Sequence, residues 1–198
     1  MKKISALFLS ISVFFSINGL SSAADDSAGS LLTGKAVYDE MRYALLYPAS
    51  LFDLDNSPSV FRLGLVWDER NGDEMRFIVN VPISEQVRMD DLKKSADTFK
   101  VVIDGREVKL TRVKNSILRK ELGGFSKTYE AEIRYTGSKK LVDQMLAAKN
   151  VEFSITVLMK KFLATLKIGG KNQSLHKKDY VAINGMKRFR HAAWGDAK

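Results

Sequence analysis

Residues 61–81 read FRLGLVWDERNGDEMRFIVNV, and this stretch decides the fold. Apolar side chains occupy every second position on both sides of Asn71-Gly72, from Phe61 at one end to Val81 at the other. Such alternation is typical of strands with one buried face, and Asn-Gly between two such runs is the strongest short-range signal of a β-hairpin. The stretch therefore predicts an antiparallel hairpin that buries Trp67 and Phe77 on the same face.

Further alternating apolar runs follow the hairpin along the chain. They span Phe99–Leu110, with a turn at Asp104-Gly105, and then Tyr129–Tyr135, Val151–Met159 and Phe162–Ile168. Runs of this length, separated by glycine-rich or polar turns, are typical of short antiparallel strands. The sequence predicts a mainly β fold: a single antiparallel β-sandwich of seven or eight strands, or the related flattened barrel, with two or three short helices.

Helical spacing of apolar residues is confined to short segments. The pattern predicts helices over Gly34–Tyr47, ended by Pro48, over Ser138–Asn150 with the serine as its cap, and over the basic segment Gly185–Ala193. The polar segment Met89–Asp97 fits either one helical turn or a loop.

The N-terminal residues have the three parts of a secretory signal peptide. Met1–Lys3 is basic, residues 4–17 form an apolar run, and Ser21–Ala24 supplies small residues for cleavage. A membrane anchor is the alternative, but the run is shorter than the roughly 20 apolar residues that span a bilayer. The sequence predicts a signal peptide over residues 1–23, a disordered leader over 24–33 and one domain over 34–198.

The chain of 198 residues contains no cysteine. This excludes disulfides, thiol catalysis, thiolate metal sites and the lipid-attachment cysteine of bacterial lipoproteins. About 174 residues remain after cleavage, enough to form one packed core without disulfides. We expect a bacterial protein located in the periplasm or secreted.

Positive charge is concentrated at the C-terminal end. The chain has 32 basic and 23 acidic residues, so removing Lys2 and Lys3 leaves 30 minus 23, a net charge of +7. Residues 160–198 contain ten basic and two acidic residues, a net charge of +8, and the rest of the mature chain is therefore close to neutral. A basic surface of this kind attracts anions over about 8 to 10 Å.

We expect the basic C-terminal region, residues 160–198, to bind an anionic envelope component or an acidic protein. The anionic candidates are lipid headgroups, lipopolysaccharide phosphates, cell-wall polymers and acidic glycans, and a membrane would be contacted only peripherally. Export and the absence of a nucleic-acid-binding motif argue against nucleic acid. The alternative is a solvated face that keeps the protein soluble. The candidate partner-binding residues are Lys177, Lys178, Lys187, Arg188, Arg190 and Trp194.

The sequence contains few residues that suggest catalysis. Its two histidines, His176 and His191, lie beside basic residues without carboxylates at metal-ligand spacing. The Ser174–Lys177 stretch matches S-x-x-K but lacks the companion motifs of that chemistry. We therefore assign no catalytic, cofactor-binding or metal-binding residues and expect no cofactor.

The order of elements resembles the invasion-associated locus B family of exported bacterial proteins. The features that carry the resemblance are a strand ending at Val81-Pro82, the Val102–Gly105 hairpin, the Leu141–Asn150 helix, the Val151–Val157 strand and the segment Val181–Met186 before a short helix. The resemblance covers about residues 73–193. The chain departs from the family pattern in having no cysteine and in having Met186 where an aromatic residue is usual. The resemblance implies a compact, virulence-associated β-sandwich linked to host-cell association, with no known cofactor and no catalytic residues.

Three functional hypotheses follow from the sequence. The first is an exported, non-enzymatic binding or host-association protein that uses the basic C-terminal region. The second is a hydrolase or lyase of cell-wall or surface polymer, in which the fold brings carboxylates together. The third is a periplasmic inhibitor or immunity protein. A cleft with converging carboxylates would favour the second hypothesis, and an exposed apolar and charged patch without a cleft would favour the first or third.

Overall fold

A computed structural model describes residues 31–35, 41–52, 58–122, 128–168, 171–172 and 182–195. Within these ranges the chain forms eleven strands and three α-helices. The strands are β1 (Leu31–Lys35), β2 (Arg42–Phe52), β3 (Pro58–Asp68), β4 (Glu74–Ile83), β5 (Lys100–Ile103), β6 (Arg106–Val108), β7 (Thr111–Leu122), β8 (Thr128–Ser138), β9 (Val151–Val157), β10 (Lys160–Ile168) and β11 (Lys171–Asn172). The helices are α1 (Met89–Ala96), α2 (Lys139–Ala147) and α3 (Ala182–Trp194).

The strands form one antiparallel sheet that folds into two layers. The strand order is β6-β5-β9-β10-β2-β3-β4-β8-β7, with β1 added beside β2 and β11 beside β10. Among the described residues, one pair, Thr165 with Phe52, joins β10 to β2, so the sheet can fold over at this point. Aromatic rings then meet between the layers, with centroids 6.2 Å apart for Phe61 and Phe153. The mainly β, sandwich-like fold is confirmed, although the described residues form eleven strands rather than the expected seven or eight.

The hairpin predicted from residues 61–81 is confirmed as β3 and β4. Leu65 pairs with Phe77 across the two strands, and Trp67 and Phe77 are both buried in the core. The turn is longer than the expected Asn-Gly pair, because Glu69–Asn71 forms a 3-10 turn. Gly72 then has a φ of 54°, a conformation that favours glycine.

The helix predicted over Gly34–Tyr47 is wrong, because the residues of this stretch that the structure describes contribute to β1 and β2. Ala44 pairs with Trp67 and Leu46 with Leu65, so the alternating residues of β2 join the core face of the neighbouring strand. Pro48 does not end the segment. It lies where the register shifts between Leu46 and Ala49, an irregularity that tolerates proline because the hydrogen-bond ladder is already interrupted.

The remaining helices agree with the sequence more closely. Within the polar segment Met89–Asp97, residues Met89–Ala96 form α1, which is longer than the single helical turn or loop that was expected. Ser138 caps α2, its hydroxyl accepting a hydrogen bond from the backbone N–H of Leu141 at 3.3 Å. Helix α3 packs closely over β2, since a Cβ added at Gly185 would lie 2.7 Å from a methyl carbon of Leu46. Glycine at this position therefore lets the basic helix approach the sheet.

The predicted signal peptide, residues 1–23, and residues 24–30 of the predicted leader lie outside the described residues. The last three residues of that leader, 31–33, belong to β1. None of the helices in the described part of the chain is long and apolar enough to cross a membrane.

Candidate functional site

Helix α3 carries four of the six residues predicted to bind a partner. Its apolar face, which includes Met186 and Phe189, is buried in the core. Lys187 and Arg188 lie between these core residues in sequence and are exposed. The 3.6-residue period of the helix therefore separates a buried face from a basic face. Lys177 and Lys178 lie outside the described residues.

Arg190 is held inside the structure, since only 9% of the residue is exposed. Its Nε donates a hydrogen bond to Oδ1 of Asp143 on α2 at 2.9 Å. Its Nη1 donates to the carbonyl oxygen of Gly195, just beyond the end of α3. The guanidinium thus ties α3 to α2 and binds a carbonyl at the C-terminal end of its own helix, where positive charge is favourable.

Trp194 packs the end of α3 against the β3–β4 hairpin. Its ring meets Trp67 edge to face, with centroids 5.9 Å apart, and also contacts Phe189 at 5.8 Å. Both indoles donate to the carbonyl oxygen of Gly72, at 3.0 Å from Trp194 and 2.6 Å from Trp67. Trp194 therefore fixes the helix to the sheet, a role that sequence reasoning did not assign to it.

The turn between β9 and β10 exposes large apolar side chains. Leu158 and Met159 form this two-residue turn, and their exposed fractions are 54% and 99%. The alternating pattern predicted Met159 on the core face of a strand, and this prediction is wrong because β9 ends at Val157. Sequence reasoning missed this feature because the apolar alternation of β9 continues into the turn.

The surroundings of this turn are basic. Lys160 and Lys161 follow it directly and are exposed. Beside Leu158 lies a shallow depression of about 170 Å³, also lined by Asp91 and Lys94 of α1. Three hydroxyl-bearing residues complete the lining, namely Ser95, Thr98 and Thr156. The Ser95 and Thr98 hydroxyls donate to backbone carbonyls of α1, so the protein itself uses them.

Two glutamates of β8, Glu130 and Glu132, are buried beside cations. The carboxylate of Glu130 accepts hydrogen bonds from the Arg62 guanidinium and, at 2.9 Å, from the Asn80 amide. The carboxylate of Glu132 forms ion pairs with Lys120 and with Arg134. The negative charge of Glu130 is therefore compensated by a cation on β3, and that of Glu132 by cations on the neighbouring β7 and on β8 itself.

Burial of the Glu132 carboxyl raises its pKa, but hydrogen bonds and charge from Lys120 and Arg134 outweigh burial and hold the pKa below its ordinary value. A general acid needs a raised pKa near neutrality. Glu132 is thus better suited to holding strands together than to protonating a leaving group.

The described residues offer little for metal or acid–base chemistry. Among them, no group of three or more histidine, cysteine or carboxylate side chains is placed to hold a metal ion. Of the described residues that line the depression beside Leu158, Asp91 alone has a carboxylate. His191 is exposed on α3, and His176 lies outside the described ranges.

Comparisons with models of protein families and with curated proteins find no match to this chain. The resemblance to the invasion-associated locus B family therefore stays a prediction. The site has to be interpreted from its own geometry.

Proposed function

We propose that this protein is an exported, non-enzymatic binding protein that contacts an anionic surface, glycan or protein through its basic C-terminal region. The observation that carries the proposal is the exposed pair Lys187 and Arg188 on the outer face of α3. These two cations belong to the stretch 160–198, which has a net charge of +8, whereas the rest of the predicted mature chain has a net charge of −1.

The contacts that fix α3 to the rest of the domain support the proposal. The apolar face of the helix is part of the core, Trp194 joins its end to the β3–β4 hairpin, and Arg190 joins it to α2. Cations on such a fixed element lose less conformational freedom on binding than cations on a mobile tail. Lys187 and Arg188 are therefore suited to contact a partner, while Arg190 and Trp194 are suited to position the helix.

The environment of the buried carboxylates makes the hydrolase hypothesis less attractive. General acid and base catalysis requires two carboxylates that face a substrate in one cleft. Glu130 and Glu132 instead face their own compensating cations. We therefore prefer binding to hydrolysis, and we place binding in the periplasm or outside the cell, as the N-terminal sequence predicts.

The test is charge reversal on α3 with a matched control elsewhere on the protein. The variant Lys187→Glu/Arg188→Glu changes the net charge by −4, and Lys109→Glu/Lys114→Glu makes the same change at exposed positions outside the C-terminal region. Binding to anionic vesicles, heparin and acidic envelope fractions is measured at low salt. We expect the α3 variant to bind about tenfold or more weakly and the control to bind nearly as well as the unchanged protein.

Circular dichroism spectra and unfolding midpoints should be close to those of the unchanged protein for both variants, because exposed charges contribute little to stability. Equal losses in the two variants would mean that only net charge matters, and the proposal for α3 would be wrong. The proposal would also be contradicted if the protein bound tightly to neutral supports and neither double substitution changed that affinity.

A further inference from the structure

The β9–β10 turn departs from the residue preferences of two-residue hairpin turns. Such turns favour Asn-Gly, Asp-Gly or a glycine, because one or both positions have positive φ. The chain uses Asp104-Gly105 in this way between β5 and β6, with φ values of 46° and 81°. Between β9 and β10 it instead has Leu158 at a φ of 55°, followed by the exposed Met159.

This departure has two unfavourable consequences for the isolated protein. A bulky residue at positive φ is strained, and strained positions concentrate at functional sites. A fully exposed methionine beside a half-exposed leucine also leaves apolar surface in water. Leu163 on β10 adds a third exposed apolar side chain nearby in the chain. An unusual backbone conformation, at Leu158, and an unusually exposed apolar side chain, that of Met159, therefore occur in the same turn.

The charge around the turn complements an anionic surface. Lys160 and Lys161 are exposed immediately after it, and Lys94 shares with Leu158 the lining of the depression beside it. Among the residues that the structure describes in that lining, Asp91 is the acidic one. Lysine side chains can lay their apolar stems along a membrane interface while their ammonium groups stay near phosphates.

We propose that the Leu158-Met159 turn, which we call the apolar tip, inserts into the interface of an anionic lipid bilayer while Lys160 and Lys161 contact the lipid phosphates. This inference rests on the proposed function, because it names lipid as the anionic partner. It adds a second contact element, the apolar tip, to the cations of α3.

A lipid surface fits the apolar tip better than a protein partner does. Stable protein interfaces bury about 800 Å² on each partner, which two side chains on a protruding turn do not supply. A second copy of this chain would also bring its own Lys160 and Lys161 close to the first pair, and like charges oppose such contact. A bilayer accepts a protruding apolar turn of any shape and supplies the opposite charge.

The first arm of the experiment removes the apolar tip without disturbing the hairpin. Of the two turn positions only Leu158 has positive φ, so the variant Leu158→Gly/Met159→Asn installs the residue pair that such a turn favours, and the fold should be as stable as before or more so. Binding is measured to vesicles of phosphatidylcholine with phosphatidylglycerol, to phosphatidylcholine vesicles and to heparin. We expect the affinity for the anionic vesicles to fall about tenfold or more, because two large apolar side chains are no longer transferred from water to the membrane. We expect the affinity for heparin to stay unchanged.

The second arm reports insertion directly. The chain has no cysteine, so Met159→Cys provides one labelling site for an environment-sensitive nitrobenzoxadiazole dye, and Asn71→Cys at the exposed β3–β4 turn serves as the control. We expect the dye at position 159 to brighten and its emission to shift to the blue on anionic vesicles. We expect little change at position 71.

The outcomes separate this inference from the proposed function. If the protein binds anionic vesicles while the dye at position 159 stays unchanged, insertion is wrong and anionic binding through α3 stands. If the unchanged protein binds neither anionic vesicles nor heparin, both proposals fail. Brightening without vesicles that grows with protein concentration would mean that the apolar tip mediates self-association, and would overturn insertion into lipid.

Discussion

Removal of the Trp194 side chain tests whether this residue holds α3 against the sheet. In Trp194→Ala the protein loses two aromatic contacts, one with Trp67 of β3 and one with Phe189 of α3 itself, each contributing about 0.5 to 1.5 kcal/mol. It also loses the hydrogen bond to the Gly72 carbonyl, which contributes about 1 kcal/mol. We therefore expect the free energy of unfolding to fall by about 2 to 4 kcal/mol.

The measurement is urea unfolding followed by far-ultraviolet circular dichroism, because the substitution removes one of the two tryptophans and would alter fluorescence. Trp194→Phe keeps a ring but removes the donor, so its loss should be about 1 kcal/mol. Lys187→Ala, on the exposed face of the same helix, should change stability by less than about 0.5 kcal/mol. If Trp194→Ala costs no more than Lys187→Ala, the packing role is refuted and Trp194 becomes a candidate for direct partner contact.

Three other substitutions test the core, the buried charges and the helix contact. Phe77→Ala should lower the free energy of unfolding by about 3 to 5 kcal/mol, as large-to-small core changes do, and a loss below about 1 kcal/mol would contradict its burial in the core. Because the pKa of Glu132 is lowered in the folded state, its carboxylate stabilises the fold above the unfolded pKa, and this contribution disappears as pH falls through the folded pKa. The stability difference between the unchanged protein and Glu132→Gln should therefore narrow in denaturant titrations as pH falls from about 5 to 3, and a constant difference would argue against this pairing. Arg190→Met should cost about 1 to 3 kcal/mol by removing charged hydrogen bonds to Asp143 and Gly195, whereas a neutral result would make Arg190 available to a partner.

The fold could be predicted where one strand face is buried and the other is polar. Residues 61–81 come close to this condition, although Val66 and the buried Ile78 interrupt the pattern. The other core positions of β3 and β4 alternate with polar or small residues, namely Arg62, Gly64, Arg76 and Asn80. Strand β2 could not be recognised, since residues 34–47 match a helical period as well as an alternating one. Its pairing with β3, rather than any local preference, decides between the two.

Strand β7 could not be predicted from the sequence for a different reason. It lies at the end of the sheet, pairs only with β8 among the described strands, and has one buried residue, Ser116. Without a buried face there is no apolar period to detect. The order of strands and the fold of the sheet at Thr165 likewise depend on contacts between distant segments, which a single sequence does not reveal.

The location of the basic region could be predicted from the sequence, but the contacts of its individual residues could not. Counting charges located the basic region, and helical spacing located α3 within it. The count could not separate Arg190, which pairs with Asp143 some 47 residues earlier, from the exposed Lys187 and Arg188. A partner that distant in sequence leaves no local signal. The apolar tip was hidden for the opposite reason, because its residues continue a regular pattern.

The salt dependence of binding to anionic vesicles tests the central claim most directly. We expect the affinity of the unchanged protein to fall steadily as ionic strength rises, because salt screens contacts between exposed charges. Lys187→Glu/Arg188→Glu should bind more weakly and depend less on salt, and Lys109→Glu/Lys114→Glu should keep the full dependence. If the α3 variant has the same affinity and the same salt dependence as the unchanged protein, α3 is only a solvated face and the account of anionic binding through it is wrong.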